Sequence, residues 1–312
     1  MDQSTARQLK VGIFLPAFEY MMDGQTARWA DLLTIVQRAE DLGFDSVWLG
    51  EHLIFHFDQP HPWLGHTDGG AWECWSILAA LAAVTKRIEI GPLVSCTSFH
   101  NPAVLAKMAD TIDEISGGRL ILGLGAGWNN EEFRAFGFPF DHRVSRFEEA
   151  LTIIHTLLHQ GRIDFEGTYY QARECELRPR GPRSAGPPIL IGSIGRRMLG
   201  LAARYADLWN RDLWGNPSPA DVRPLRDVVD AACVEVGRDP ATLGRTVGLT
   251  INPLGRTDIP AHEAIRGSPE QLAHVLRAFE QEGISHIQVC LLPNTLASLE
   301  AFAPTLELLN HG

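Results

Sequence analysis

Residues 87–128, RIEIGPLVSCTSFHNPAVLAKMADTIDEISGGRLILGLGAGW, contain a strand, a helix and a second strand in close succession. Arg87–Val94 is an aliphatic and β-branched run broken at Gly91-Pro92. From Pro102 a helical period takes over, with Val104, Leu105, Met108, Ile112 and Ile115 on one face. Pro102 suits a first-turn position, where its missing N–H would have no partner anyway. Ser116-Gly117-Gly118 ends the helix with residues that tolerate positive φ. Leu120–Leu124 is again a short apolar strand, running into Gly123, Gly125 and Gly127. Two strands with a helix between them make a parallel crossover, the unit of an α/β fold.

The same alternation extends both ways. Upstream, strand Val11–Leu15, an amphipathic helix over 26–42 closed by Gly43, and strand Phe44–Leu49 precede a long loop, Gly50–Gly70. That loop carries His52, His56, His61, His66 and Trp63, and loops of this length inside a domain are usually functional. A helix over 71–85 leads back to the central stretch. Downstream, 129–140 is polar and then aromatic, and 143–159 reads as a long helix. IDFEGTYYQARECE (163–176) alternates like a hairpin turning at Glu166-Gly167, and Arg178–Pro188 reads as irregular. Strands at 189–191, 207–210, 245–251 and 284–291 then alternate with helices at 196–205, 219–236, 269–282 and 296–309. Eight strand–helix pairs without a dividing linker point to one (β/α)8 TIM barrel over 1–312. Its additions are an insertion at about 160–187 and the long loop at about 51–70. A doubly wound open sheet is the alternative.

Composition narrows the function. Of 312 residues 45% are hydrophobic and 21% charged, ordinary for a globular chain, and the net charge of −11 argues against nucleic acid or anionic membrane as partner. No apolar run reaches membrane-spanning length and MDQSTARQLK lacks a signal-peptide apolar region. The five cysteines are scattered and read as reduced thiols of a cytoplasmic protein.

In a barrel, chemistry belongs at the C-terminal ends of the strands. Gly192-Ser193-Ile194-Gly195 stands there before a helix that begins Arg196-Arg197; free N–H groups, a positive dipole end and two cations make a phosphate cradle. Glu51-His52 places a carboxylate and an imidazole just past the second strand, where a proton could be handled. Gly123-x-Gly125-x-Gly127 reads as a tight turn rather than a nucleotide fingerprint. The loop histidines match no zinc spacing, so no metal is expected. Trp72, Trp75 and Trp209 read as packing residues.

The segments DSVWLGEH (45–52), 90–128, RFEEALTIIHTLL (146–158) and PPILIGSIGRRMLGLAARYADLWN (187–210) resemble the bacterial-luciferase-like monooxygenase superfamily, and within it the coenzyme F420-dependent oxidoreductases. The resemblance implies a flavin or 5-deazaflavin in the barrel mouth, with a cis peptide of the third strand against the ring at Pro92-Leu93, and Val94 and Ser95 adjacent. It places the cofactor phosphate at Gly192, Ser193, Ile194 and Gly195, with Arg196 beside it, and His52 near the reactive ring edge. Gly127 and Trp128 join the cofactor site; Trp128 stands where some relatives carry a proton-donating glutamate. The implied activity is hydride transfer between F420 and a small organic substrate, with His52 and Glu51 as catalytic pair. The alternatives are an FMN monooxygenase served by a reductase partner and a non-catalytic flavin-binding protein. F420 is favoured because Arg178, Arg180 and Arg183, with Arg196 and Arg197, could line the exit of its long anionic tail. The expected assembly is a homodimer.

Overall fold

Parallel strands follow one another around a closed ring. The computed structural model describes residues 7–59 and 65–311, so His61 and Trp63 lie outside the described residues. Strand β1 (Lys10–Phe14), helix α1 (Trp29–Asp41) and β2 (Ser46–Leu49) open the chain. A small antiparallel hairpin, β3 (Ile54–His56) and β4 (Asp68–Gly70), lies within the long loop and leads to α2 (Cys74–Val84). Then come β5 (Glu89–Pro92), β6 (Ser95–Cys96), α3 (Pro102–Ser116), β7 (Leu122–Gly125), α4 (Asn130–Phe136) and α5 (Arg143–Gln160). The insertion is the hairpin β8 (Arg162–Glu166) and β9 (Gln171–Glu176). The second half runs β10 (Ile189–Gly192), α6 (Arg196–Tyr205), β11 (Leu208–Leu213), α7 (Val222–Glu235), β12 (Gly244–Ile251), α8 (Pro269–Gln281), β13 (His286–Leu291) and α9 (Leu296–Asn310).

The sheet order is β5-β2-β1-β13-β12-β11-β10-β7-β6. β5 and β6 are two halves of one stave: β5 pairs with β2, β6 pairs with β7, and an Ile90–Leu120 bridge ties β5 to the approach of β7. The ring therefore closes with eight staves, the (β/α)8 barrel expected. Between the halves the Leu93–Val94 peptide is cis, one residue beyond the Pro92-Leu93 position expected. β5 ends at Pro92, and the Leu93 N–H beyond it still donates to Leu49 O at 2.7 Å. The glycines of β7 exist to admit this break. A Cβ on Gly123 would lie 2.0 Å from Pro92 O, and one on Gly125 would lie 2.6 Å from a Val94 methyl.

Three local expectations need correction. In α3 the buried face is Leu105, Ala106, Ala109 and Ile112, while Val104 and Ile115 are exposed. Alanines that carried no strong apolar signal fill the tight space against the barrel. The polar stretch after Trp128 contains α4, capped by Asn129 accepting from Glu131 N, and too short to show a helical period. The insertion hairpin turns over 167–170 rather than at two residues. Glu149 of α5 accepts the N–H groups of Thr168, Tyr169 and Tyr170, and so holds a longer turn.

Arg178, Arg180 and Arg183 precede β10, and residues preceding a barrel strand sit at its N-terminal foot. There Arg183 pairs with Asp113 and donates to Leu120 O, Arg180 donates to Leu158 O and Ser184 O, and Arg178 pairs with Glu176. They are remote from the mouth, and the expected cationic exit path is not formed by them. Among the described residues no helix is long and apolar enough to cross a membrane, and no cluster of three or more metal-ligating side chains occurs.

Candidate active site

Two cavities open at the C-terminal mouth. The first, of about 580 Å³, is lined chiefly by aromatic rings from Phe14, Phe18, Phe55, Phe57 and Trp214, with Asp212, His262 and Glu263 among its polar groups. The second, of about 350 Å³, runs past Val94, Gly125, Gly127 and Ala126 to Gly192, Ser193, Ile194 and Gly195. Four residues line both: His52, Leu93, Trp128 and Asp212. A planar ring lying across that junction would meet the Leu93–Val94 bend, and a substrate would fill the aromatic side.

The turn expected to cradle a phosphate joins a strand end to a helix start. β10 ends at Gly192, and α6 starts with Gly195 as its N-cap, so no side chain caps the first turn. Its first N–H groups are therefore left to an anion. Ser193 Oγ is buried without a hydrogen-bond partner among the described residues, as a group awaiting a ligand oxygen would be. Arg196 and Arg197 do not complete the cradle. They lean outward over neighbouring helices, Arg196 to Glu235 of α7 at 3.3 Å, and Arg197 to Glu148 and Ser145 of α5. The cation at this cavity is instead Arg211 at the end of β11, whose Nε is buried without a partner among the described residues. An orphaned hydroxyl, an orphaned guanidinium N–H and an open helix terminus fit a phosphate group.

His52 and Glu51 are neighbours that turn to different partners. His52 Nδ1 lies 2.8 Å from Glu132 Oε1, which also accepts from Leu53 N–H at 3.0 Å. With Glu132 as acceptor, Nδ1 carries the hydrogen and Nε2 is the atom left to exchange a proton. Phe18, Phe55 and Trp128 surround the ring at centroid distances of 5.8, 4.6 and 5.5 Å. Glu51 is buried and turned elsewhere: it accepts from Ser95 Oγ (2.8 Å), Cys96 N (2.7 Å) and His100 Nε2 (2.8 Å). Burial by itself would lower the His100 pKa, but the Glu51 hydrogen bond and charge outweigh it and raise it above the ordinary imidazole value. Glu51 thus pins Ser95 and Cys96 directly after the cis bond, and Trp75 Nε1 donates to the same Ser95 hydroxyl at 3.2 Å. Trp75 and Trp209 are buried packing residues, as expected, whereas Trp72 is 40% exposed, its Nε1 donating to Ala27 O.

Sequence reading missed Glu132 and Asp212. Glu132 stands on α4, which was not anticipated. Asp212 lies beyond the expected end of its strand at Asn210; β11 runs three residues farther and carries it into the mouth. Its Oδ1 is buried without a partner, and burial, only partly offset by Arg211, pushes the carboxyl up to about 6. A charged residue continuing a strand's inward alternation (Leu208, Asn210, Asp212) was the available signal.

Comparison with known proteins follows the same lines. The family model for luciferase-like monooxygenases matches residues 9–254. The F420-dependent glucose-6-phosphate dehydrogenase of Microbacterium testaceum is 36% identical over 180 residues, 57% of this chain and 51% of that protein. Pyrimidine monooxygenase RutA of Stutzerimonas stutzeri is 32% identical over 209 residues, 65% of this chain and 56% of that protein. The chain thus spans little more than half the length of these curated relatives. An F420-dependent secondary alcohol dehydrogenase superposes with a TM-score of 0.76 at 19% identity, covering 96% of this chain and 98% of that one, a likeness of fold. The chain belongs to the luciferase-like monooxygenase family.

Proposed function

We propose that this protein transfers a hydride between coenzyme F420 and a small, largely apolar organic substrate. The observation that carries the reading is the junction of an anion-ready cavity with an aromatic one at His52, Leu93, Trp128 and Asp212. When bound, the deazaflavin supplies hydride transfer at its C5. The chain supplies the rest. The α6 N-terminus, Ser193 and Arg211 hold the phosphate, and Leu93–Val94 backs the ring, kept in place by Glu51 through Ser95 and Cys96. His52, oriented by Glu132, exchanges the accompanying proton at Nε2, and Phe18, Phe55 and Trp128 keep water away from it. The described lining of the aromatic cavity contains no Lys or Arg, which favours an uncharged substrate over a phosphorylated one.

F420 is preferred because several relatives are named for dependence on it. The second reading is an FMN monooxygenase with a separate reductase. In its favour, the arginines expected along a polyglutamate exit stand at the foot of the barrel. Titrating purified protein with F420 and FMN at equal ionic strength separates the two. Tighter binding of F420, with its absorbance and mass in the protein-bound fraction, supports the proposal; tighter binding of FMN overturns it.

A further inference from the structure

Reduction of a carbon–heteroatom double bond needs a proton at the substrate heteroatom, distinct from the proton exchanged at the ring edge. His52 accounts for one exchange; Trp128 can donate none of this kind, since an indole N–H does not ionise in this range. We infer that Asp212 is the acid that delivers the proton to the substrate heteroatom, an assignment that rests on the reading given under Proposed function.

Three features of its position carry this. Asp212 lines both cavities and so borders both the ring and the substrate, and of the four described residues that do so it is the one carboxylic acid. Its Oδ1 is buried with no hydrogen-bond partner among the described residues; in the polar layer below, Asn210 Nδ2 donates to Thr246 Oγ1 (2.8 Å) and to Gln288 Oε1 (3.0 Å), and Gln288 Nε2 is unpartnered among the described residues. The adjacent stave provides its space through a missing side chain: a Cβ on Gly248 would lie 2.6 Å from Oδ1 and 3.1 Å from the Trp214 ring. A carboxyl housed in a built recess but bonded to nothing is held for an external partner.

The groups around it agree. Arg211 on its own strand lowers its pKa somewhat, but burial prevails. On β13 the facing group is Cys290, its thiol pushed up to about 12 by burial and by Asp212, and hence neutral. β12 offers Gly248 and β1 offers Phe14, neither of which titrates, while His52, His262 and Glu263 complete the cavity wall. With a pKa of about 6 the carboxyl is protonated in a useful fraction near neutrality, as an acid must be. In the reducing direction the O–H bond of Asp212 breaks as the heteroatom–H bond forms. The hydride, from the reduced deazaflavin, arrives at carbon, and water reprotonates the carboxylate. In the oxidising direction the carboxylate takes the proton back.

The test begins on cofactor-free protein, with the isosteric Asp212→Asn variant as reference. Wild-type minus Asp212→Asn infrared difference spectra should show a carboxylic C=O band that titrates with a midpoint of about 6; no band, or a midpoint below about 5, overturns the inference. Acetophenone, an uncharged ketone suited to the aromatic cavity, should show a C=O stretch lowered at pH 5 and released at pH 8, with that pH dependence absent in Asp212→Asn. A pH-independent stretch in the wild type overturns it as well. In F420-loaded protein, reduction of a carbonyl substrate should slow as pH rises through about 6, and Asp212→Asn should be on the order of 10²-fold slower and lack that limb, at unchanged F420 affinity. A variant with wild-type rate and profile overturns the assignment. Failure of F420 to bind would count against the proposed cofactor, while the infrared titration would still decide the state of Asp212.

Discussion

Two arginines, one at each end of the barrel, are treated in opposite ways. At the foot, Arg119 spends its guanidinium on five acceptors: Ser116 O, Thr85 Oγ1, Ile88 O, Ala82 O and Thr85 O, all between 2.7 and 2.9 Å. It ties the ends of α2 and α3 to the start of β5. At the mouth, among the described residues, Arg211 keeps a buried Nε with no acceptor, and Ser193 and Asp212 likewise each have an unbonded buried oxygen. Buried polar groups are ordinarily satisfied because an unmade hydrogen bond costs about 1–3 kcal/mol each. Arg119 follows that rule and the group at the mouth departs from it, although Arg180 Nε and Asp110 Oδ1 at the foot also lack partners among the described residues. Ser193, Arg211 and Asp212 differ from orphaned groups elsewhere in lining one cavity, where a ligand could complete their bonding, whereas the bonded Arg119 locks the fold.

The comparison yields ordered expectations. The largest effect lies at the mouth: His52→Ala should slow turnover by on the order of 10²–10⁴ while leaving cofactor affinity intact. Steady-state and binding measurements on the same preparation decide it, and unchanged turnover would make His52 a loop residue held by Glu132. Next, Arg119→Ala should lower stability by about 3 kcal/mol with no change in cofactor affinity, because several buried carbonyls lose their donor. Arg211→Ala should do the reverse, leaving the denaturation midpoint in place and weakening cofactor binding roughly tenfold. Equal destabilisation by both would erase the contrast.

A smaller effect depends on pH. The folded-state pKa of Asp212 is raised to about 6 from an ordinary 3.8, chiefly by burial. Ionisation is therefore harder in the folded state, and the protein loses stability as pH rises through about 6. Asp212→Asn removes that penalty, so it should be more stable than the wild type at pH 8, by on the order of 2 kcal/mol, and no more stable at pH 4. Thermal denaturation at the two pH values checks the sign. The smallest effect is at the cradle. A Cβ on Gly195 would meet no atom within 4 Å, and its φ of −82° suits any residue, so Gly195→Ala should bind cofactor normally. Gly195→Asp adds charge without a clash and should weaken binding by about tenfold. Equal affinity for both variants, measured by titration, would remove the phosphate from this turn.

The barrel was legible in the order of residues because its signals are local. Apolar runs, helical periods, Pro102 at a first turn and Gly117 as a left-handed cap each act within a few positions of themselves. The turn at 192–195 was legible for the same reason: a strand end, small residues and a helix start are contiguous in the chain. His52 was visible as a titratable group at a strand end. Its orienting partner was not, since Glu132 lies 80 residues away on a helix too short to announce itself. The arginines misled for a complementary reason. Being close in sequence to β10, they were placed at its site, but the residues before a strand and those after it lie at opposite ends of the barrel.

What the amino-acid order determined by itself was which segments become staves and helices, and which residues end up at a strand's C-terminal tip. Backbone geometry and hydrophobic period depend on near neighbours only. What only the tertiary structure decided was pairing across the ring: Glu51 with Ser95 and His100, His52 with Glu132, and Asp212 Oδ1 with no partner among the described residues. A buried carboxylate's protonation depends on every group that closure brings around it, and closure joins residues hundreds of positions apart.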